Sequence, residues 1–253
     1  MYCSTSDHRS LPLFYHLNSE PWLNEEGYSQ AYSVQYKELN GGGAVLALPS
    51  ITDEASLVLP LLRARRSCRK FTDRTLPLSV AARILGGAYA PLRQSVLPTG
   101  LEIDSRGVPS AGGLFPLELY PLIHSTLGVE EGLYHYNPIA HQLEPLRMAT
   151  RVGDLSRWLL AQPFLEGANL IVFIAAVFER TLRKYGPRGY RYILLEAGHV
   201  AQSICLLAQE AGLATLCVGG YLDGDLNAAL ELEATEESVV YCIGVGYPGD
   251  SEA

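Results

Sequence analysis

Apolar and polar positions follow two rhythms along this chain, and the change of rhythm marks the elements. Tyr190, Leu194, Ala197, Ala201, Ile204, Ala208 and Ala211 recur at helical spacing, and Gly212 closes the run. This pattern predicts a long, alanine-rich helix that packs closely in the core. Asn169 to Phe178 (NLIVFIAAVF) is unbroken and β-rich, as expected of a strand covered on both faces. LATLCVGG and SVVYCIGVGY predict two more strands, with a short helix between them near Asp225 to Leu230. LELYPLIHS alternates in part and reads as a strand. GLYHYNPIAHQLEPL reads as a hairpin, because Asn137-Pro138 supplies turn chemistry between Leu133–Tyr136 and His141–Leu146.

Helices are also predicted at Leu78 to Ala90, capped by Ser79, and at Val152 to Gln162. A further helix runs through EASLVLPLLRA, capped by Asp53 and flawed by Pro60. Strands and helices mix without a regular βαβ rhythm, which predicts an α+β fold. Residues 1–52 are polar and aromatic with weak periodicity, and Gly41 to Gly43 mark a joint. They read as an N-terminal extension wrapping a main domain over 53–253.

Composition narrows the function classes. The chain has 253 residues, 48% hydrophobic and 18% charged, which suits an ordered core. A formal net charge of −8 argues against a nucleic-acid partner. The five cysteines are widely spaced with no CxxC pair, so neither a metal site nor a disulfide framework is indicated. Cys205, Cys217 and Cys242 read as small core residues. No apolar stretch is long enough to span a membrane, no signal peptide is visible, and a reducing cytoplasm is the expected compartment.

Against that acidic background, RARRSCRKF (63–71) gathers five cations. In an extended segment Arg65, Ser67 and Arg69 point to one side. Two forked guanidinium groups and a hydroxyl on one face suit a phosphate monoester. The spacing alone also fits a solvated basic linker. In PSAGGLF, Gly112 and Gly113 let backbone approach a ligand, Ser110 can donate a hydrogen bond, and Pro109 stiffens the approach. The same residues would serve an ordinary turn, as would Gly219-Gly220 after its strand. Glu196 and His199 form a single ExxH, without the second copy a di-iron centre needs, and read as a buried polar pair. GVGYPG matches a dinucleotide fingerprint but lacks a following helix to receive a pyrophosphate. His124, His135 and His141 read as packing or surface residues.

Taken in order, RRSCRKF, PSAGGLFPLELY, KYGPRGYRYILLEAGHVAQ, GLATLCVGGY and GVGYP resemble the SagB-type branch of the nitroreductase superfamily, over roughly residues 60 to 248. That branch includes the FMN-dependent azoline dehydrogenases of peptide natural-product pathways. The resemblance implies a nitroreductase-like fold, with a central, mostly antiparallel sheet flanked by helices, in an intertwined homodimer with FMN at the subunit interface. It implies that Arg65, Arg66, Ser67 and Arg69 contact the phosphate and ribityl chain. Pro109, Ser110, Ala111, Gly112 and Gly113 would lie against the flavin ring held by the partner subunit, and Gly219 and Gly220 would bring backbone N–H groups to N5 and O4. Lys184 and Tyr185 take the place of the proposed catalytic base, since removing a hydride and a proton from an azoline needs a group to take the proton. A surface Lys beside a packing Tyr is the plainer reading of that dipeptide. No metal is implied. Many relatives place a further cation after the terminal GYP, where this chain has GDSEA.

The resulting expectation is an FMN-dependent dehydrogenase or oxidase. It would act on a small-molecule, peptide or carrier-bound biosynthetic intermediate, with O2 reoxidising the flavin and with partners in a biosynthetic complex. Two other readings stay open: an NAD(P)H-dependent nitro- or quinone reductase, and a flavin-poor scaffold subunit of a peptide-modifying complex.

Overall fold

The structure is a computed structural model that describes residues 10–19, 37, 46–51, 56–96, 100, 102–147, 150, 158–159 and 163–249. Asp53 and most of residues 1–52 lie outside the described residues, as does most of the helix expected at Val152 to Gln162.

Six strands form the central sheet: β4 (Leu117–Ile123), β6 (Gly132–Asn137), β7 (Gln142–Arg147), β8 (Leu170–Val177), β9 (Ala214–Val218) and β10 (Glu237–Gly246). Their order is β7-β6-β4-β8-β10-β9, and every neighbouring pair is antiparallel. β8 sits inside the sheet, and its unbroken hydrophobicity follows from that place. Leu170, Val172, Ile174 and Ala176 face one core, while Ile171, Phe173 and Ala175 face the other. A bulge in β10 between Val239 and Tyr241 shifts the parity, so Val239 and Cys242 share a face.

The first core is closed by α3 (Leu78–Tyr89) and by α5 (Arg188–Glu210), which bury Ile84, Leu85, Ile193, Val200 and Ile204 against the sheet. The second is closed by Trp158, Leu165 and α6 (Asp223–Ala229). α5 ends as its sequence predicts, with Gly212 at φ +71° and the Leu213 N–H donating to the Ala208 carbonyl.

Smaller elements complete the described chain: α1 (Ser10–Leu17), α2 (Leu59–Ala64), α4 (Phe178–Tyr185), a two-residue ladder of β1 (Leu76–Pro77) with β5 (Thr126–Leu127), and a hairpin of β2 (Pro91–Val96) with β3 (Glu102–Arg106). The hairpin was not legible in the sequence. Three expectations change. α2 begins at Leu59, so Pro60 sits in its first turn, where a missing N–H costs nothing, and is not an internal flaw. The Ser56 hydroxyl accepts the Leu59 N–H at 3.1 Å. Ser79 lies inside the first turn of α3, and Pro77 occupies the cap position.

Candidate functional site

The cation run does not float as a linker. It leaves α2 and lies along the edge strand β9, with Ser67 bridged to Thr215 and the Cys68 N–H donating to the Thr215 carbonyl at 3.0 Å. Farther on it pairs with the end of the chain: the Thr72 N–H reaches the Tyr247 carbonyl at 3.0 Å, and the Gly249 N–H reaches the Lys70 carbonyl at 2.9 Å. Asn169, wholly buried, ties these strands by donating to the Arg74 and Ser125 carbonyls and accepting the Tyr247 N–H. Alternation then sorts the side chains. Cys68 points inward at 3% exposure, while Ser67 and Arg69 are exposed and Arg65 is half-buried. Arg66 turns back, and its Nη1 donates to the Arg63 and Arg65 carbonyls. Arg69 stands over the Phe164 ring at 5.9 Å.

Pro109 to Phe115 form a tight 3-10 turn. Ser110 is extended, its Oγ accepts the Phe115 N–H at 2.9 Å, and its carbonyl accepts the Gly113 N–H at 3.1 Å. Gly112 and Gly113 both have φ +65°, the region where a side chain is strained. The alternative of a ligand-approach loop adds a second demand at Gly112. A Cβ built there would lie 2.6 Å from the Tyr185 hydroxyl and 2.7 Å from Lys184 Nζ. So the structure brings Lys184 and Tyr185, in the last turn of α4, onto the PSAGG turn. Gly186, at φ 56° and ψ −150°, ends α4 there. Lys184 Nζ is 5.3 Å from the Tyr185 ring, and Tyr185 packs edge-on against Tyr192.

Gly219 and Gly220 follow β9, and a Cβ built on Gly219 would meet nothing within 4 Å. Gly219 lines a cavity of about 210 Å³ with Tyr190 and Tyr221. Through Tyr15, Tyr190 and Leu194 this joins a groove of about 710 Å³ between α1 and the start of α5. α1 is anchored beside it by His16, whose ring nitrogens lie 2.7 Å from Ser238 Oγ and 3.0 Å from Tyr190 Oη. Burial lowers the His16 pKa.

Ladder registers place these groups relative to one another. Gly219 is four residues beyond Thr215 along β9, roughly 13 Å from the Ser67 level at the usual rise per residue. The PSAGG turn lies far away. Thr215 pairs with Val245, Val245 with Leu170, and Leu170 with Ile123, and the turn enters β4 six residues back at Leu117. Rise and strand spacing together put Leu117 roughly 28 Å from Ser67 within one chain.

Two supports of the turn were not singled out in the sequence. Tyr89, 1% exposed, donates to Glu196 Oε1 at 2.8 Å and accepts the Leu117 N–H at 3.0 Å. Arg106 covers the Tyr89 and Phe115 rings at 3.9 and 4.6 Å. Burial raises the Glu196 pKa, against the hydrogen bonds from Ser110 and Tyr89. His199, expected to be buried with Glu196, is exposed on the outer face of α5. The second support is Arg180, whose Nη1 meets Glu118 Oε1 at 2.6 Å and the Phe115 carbonyl at 3.3 Å. His135, expected to be a packing or surface residue, joins Glu118 Oε2 and Glu144 Oε2, each at 2.9 Å. No short-range spacing could announce these pairs, because their partners lie on different helices and strands.

Among the described residues no group of three or more His, Cys, Asp or Glu side chains could hold a metal ion, and no helix is long and apolar enough to cross a membrane.

Comparison with known proteins agrees with this architecture. The Nitroreductase family model matches residues 62–247. The chain is 38% identical over 192 residues to MJ1384 of Methanocaldococcus jannaschii, which carries the name nitroreductase; the match covers 74% of this chain and 90% of that protein. It is 31% identical over 140 residues to the microcin B17-processing protein McbC of Escherichia coli, covering 51% of this chain and 49% of McbC. Among solved structures, a chain of the E. coli microcin synthetase McbBCD complex superimposes with a TM-score of 0.69 at 24% identity, over 89% of this chain and 86% of that one. A nitroreductase-like protein of Desulfovibrio desulfuricans in complex with FMN superimposes with a TM-score of 0.54 at 17% identity, over 78% and 89% of the two chains. With a family match spanning residues 62–247 and a relative 38% identical over 90% of its length, this chain belongs to the Nitroreductase family.

Proposed function

We propose that the protein is an FMN-dependent oxidoreductase of SagB type. It would remove a hydride and a proton from an azoline-like heterocycle in a natural-product intermediate. The observation that carries the proposal is the meeting of Lys184 and Tyr185 with Gly112 in the PSAGG turn. Family membership and the likeness to McbC, a microcin-processing protein, support the reaction class.

The residues fit the cofactor. Ser67 and Arg69 face outward and Arg65 is only half-buried, so a hydroxyl and guanidinium groups, the groups that suit a phosphate, line the outer side of the run. The roughly 13 Å from Ser67 to Gly219 suits the reach from an FMN phosphate to its ring. The open approach at Gly219 leaves room for the ring edge. FMN, when bound, supplies the hydride acceptor and returns its electrons to O2. In this reading Lys184 Nζ takes the ring-carbon proton and Tyr185, packed against Tyr192, orients it beside the PSAGG turn.

The roughly 28 Å between Ser67 and Leu117 is longer than the reach from an FMN phosphate to its ring. We read the protein as a homodimer in which the cradle of one subunit faces the PSAGG turn, Lys184 and Tyr185 of the other. The outer face of α5 supports this, because Leu194 (38% exposed), Leu195 (55%) and Gly198 lie open there. Further partners in a peptide-modifying complex fit the same reading, as the McbBCD assembly does for McbC's namesake complex.

Mixing two inactive variants tests this. Arg65→Met/Ser67→Ala loses the flavin, and Lys184→Ala keeps the flavin and loses turnover of a thiazoline peptide. Refolded together, they should regain about a quarter of wild-type activity, from the one intact site in each mixed dimer. No recovery from demonstrably mixed dimers sinks the arrangement in trans, and a colourless wild-type protein that takes up no FMN sinks the whole reading. The relative named as a nitroreductase favours a second reading, NAD(P)H-driven reduction of nitro compounds or quinones. Rapid NADH or NADPH oxidation with a nitroaromatic, undiminished in Lys184→Ala, would select it.

A further inference from the structure

Cys205 on α5 and Cys217 on β9 have their sulfur atoms 3.7 Å apart. Both were expected to be small core residues. Cys205 is 3% exposed and Cys217 half-buried, so an oxidant reaches the pair from one side. The Thr215 hydroxyl donates to Cys205 Sγ at 3.3 Å. That same residue carries Ser67 and the Cys68 N–H on its backbone. The pair therefore sits directly beneath the ledge that seats the cation run. Hydrogen bonds from Cys217 and Thr215, together with the nearby Arg65 charge, lower the Cys205 pKa against its burial. Among the described residues the other two thiols face elsewhere. Cys242 is fully buried and faces the second core, whereas Cys217 packs on the first. The Cys68 thiol is turned to the Lys70 carbonyl at 3.0 Å.

We propose that Cys205 and Cys217 are a redox-active dithiol that a hydroperoxide converts to a disulfide, stapling α5 to β9. The Cys205 thiolate attacks the peroxide oxygen, the O–O bond breaks, and a sulfenic acid forms as one water (from hydrogen peroxide) or alcohol leaves. The Cys217 sulfur then attacks the sulfenic sulfur and the second oxygen departs as water. Two S–H bonds are replaced by one S–S bond, and the peroxide is reduced by two electrons. Closing the gap takes the sulfurs from 3.7 Å to bonding distance, roughly 2.0 Å, which rotation about the Cα–Cβ bonds and a small shift of the edge strand can supply. An edge strand with one neighbour in the sheet yields more easily than a central one. The inference is independent of the flavin reading, since it needs only the thiols and the oxidant.

The test treats the reduced, full-length protein with stoichiometric hydrogen peroxide. The expected result is an intact mass lower by two hydrogens per chain, a non-reducing peptide map that joins the Cys205 and Cys217 peptides, and full reversal by dithiothreitol. Amide exchange along β9 should slow in the oxidised form. In Cys217→Ser the same treatment should leave a sulfenic acid at Cys205 that dimedone traps. Oxygen addition to wild-type Cys205 or Cys217 without a cross-link, or a cross-link joining any other pair, overturns the proposal. Because the decisive arm uses the wild-type chain, a poorly folded variant does not spare it.

Discussion

Gly112 and Lys184 interlock: a methyl group on Gly112 would lie 2.7 Å from the Lys184 Nζ, and Gly112 itself holds φ +65°. The turn is thus shaped for the Lys184 side chain as much as for its own backbone. Gly112→Ala should strain the turn by about 1–2 kcal/mol and push Lys184 and Tyr185 aside. The expected outcome is turnover of a thiazoline peptide lowered at least about tenfold, as ångström displacements of catalytic groups produce, with FMN content unchanged. Comparing kcat with flavin absorbance checks it. Loss of FMN in step with turnover would instead tie Gly112 to cofactor retention.

Arg180 holds α4 to the strand that the turn enters, and its partner Glu118 also receives His135. The hydrogen bond that His135 donates to Glu118 is the main reason its pKa is raised, despite burial. Burial pushes the Glu118 carboxyl up, but the bonds and charges of His135 and Arg180 more than offset it and lower the pKa. The signs then follow. The stabilisation from charged His135 is complete below its unfolded value of 6.5 and is lost as pH rises through its raised folded value. The Glu118 contribution is present above 4.5 and is lost as pH falls through its lowered folded value. Thermal melts should therefore show a stability maximum between these limits, with a fall on the alkaline side that His135→Gln flattens. Glu144 meets the network through His135 and loses that bond in the variant, whereas the Tyr120–Glu237 pair should persist. Arg180→Met should lower kcat by loosening the turn while leaving phosphate affinity unchanged.

Tyr89 satisfies two buried groups with one hydroxyl, the Glu196 carboxyl and the Leu117 N–H. Tyr89→Phe removes both bonds without changing shape, which leaves two buried polar groups without this partner. Urea unfolding should show a loss of about 1–3 kcal/mol, the cost of stranding buried polar groups. Burial raises the Glu196 pKa, so a protonated carboxyl can form in the folded state. The deficit of Tyr89→Phe should consequently shrink as pH is lowered. A deficit that grows on acidification would show that the carboxylate is held charged.

Helical and strand periods were legible wherever one face had to be buried. The α5 stripe from Tyr190 to Ala211 and the doubly covered run of β8 are both present, as is the hairpin across Asn137, whose Oδ1 accepts the Ile139 and Ala140 N–H groups. The β2–β3 hairpin escaped because it forms its own two-stranded sheet, apart from the central one. Ser79 failed as a cap because Pro77 already supplies the extended residue that starts α3. The site was legible as separate motifs, with Arg65 to Arg69 and Pro109 to Gly113 each distinct in composition. The sequence did not show that Gly112 touches Lys184, or that Arg66 turns away to its own backbone.

The chain's local chemistry settles where elements lie and which residues carry charge, nucleophilic sulfur or backbone freedom, because those depend on neighbours within a few positions. Which of them meet is decided by strand order and register: Ser67 beside Thr215, Cys205 beside Cys217, Arg180 on Glu118. Those contacts join residues from 12 to well over a hundred positions apart. Only burying both faces of one antiparallel sheet brings them together, and no local pattern encodes the distance between them.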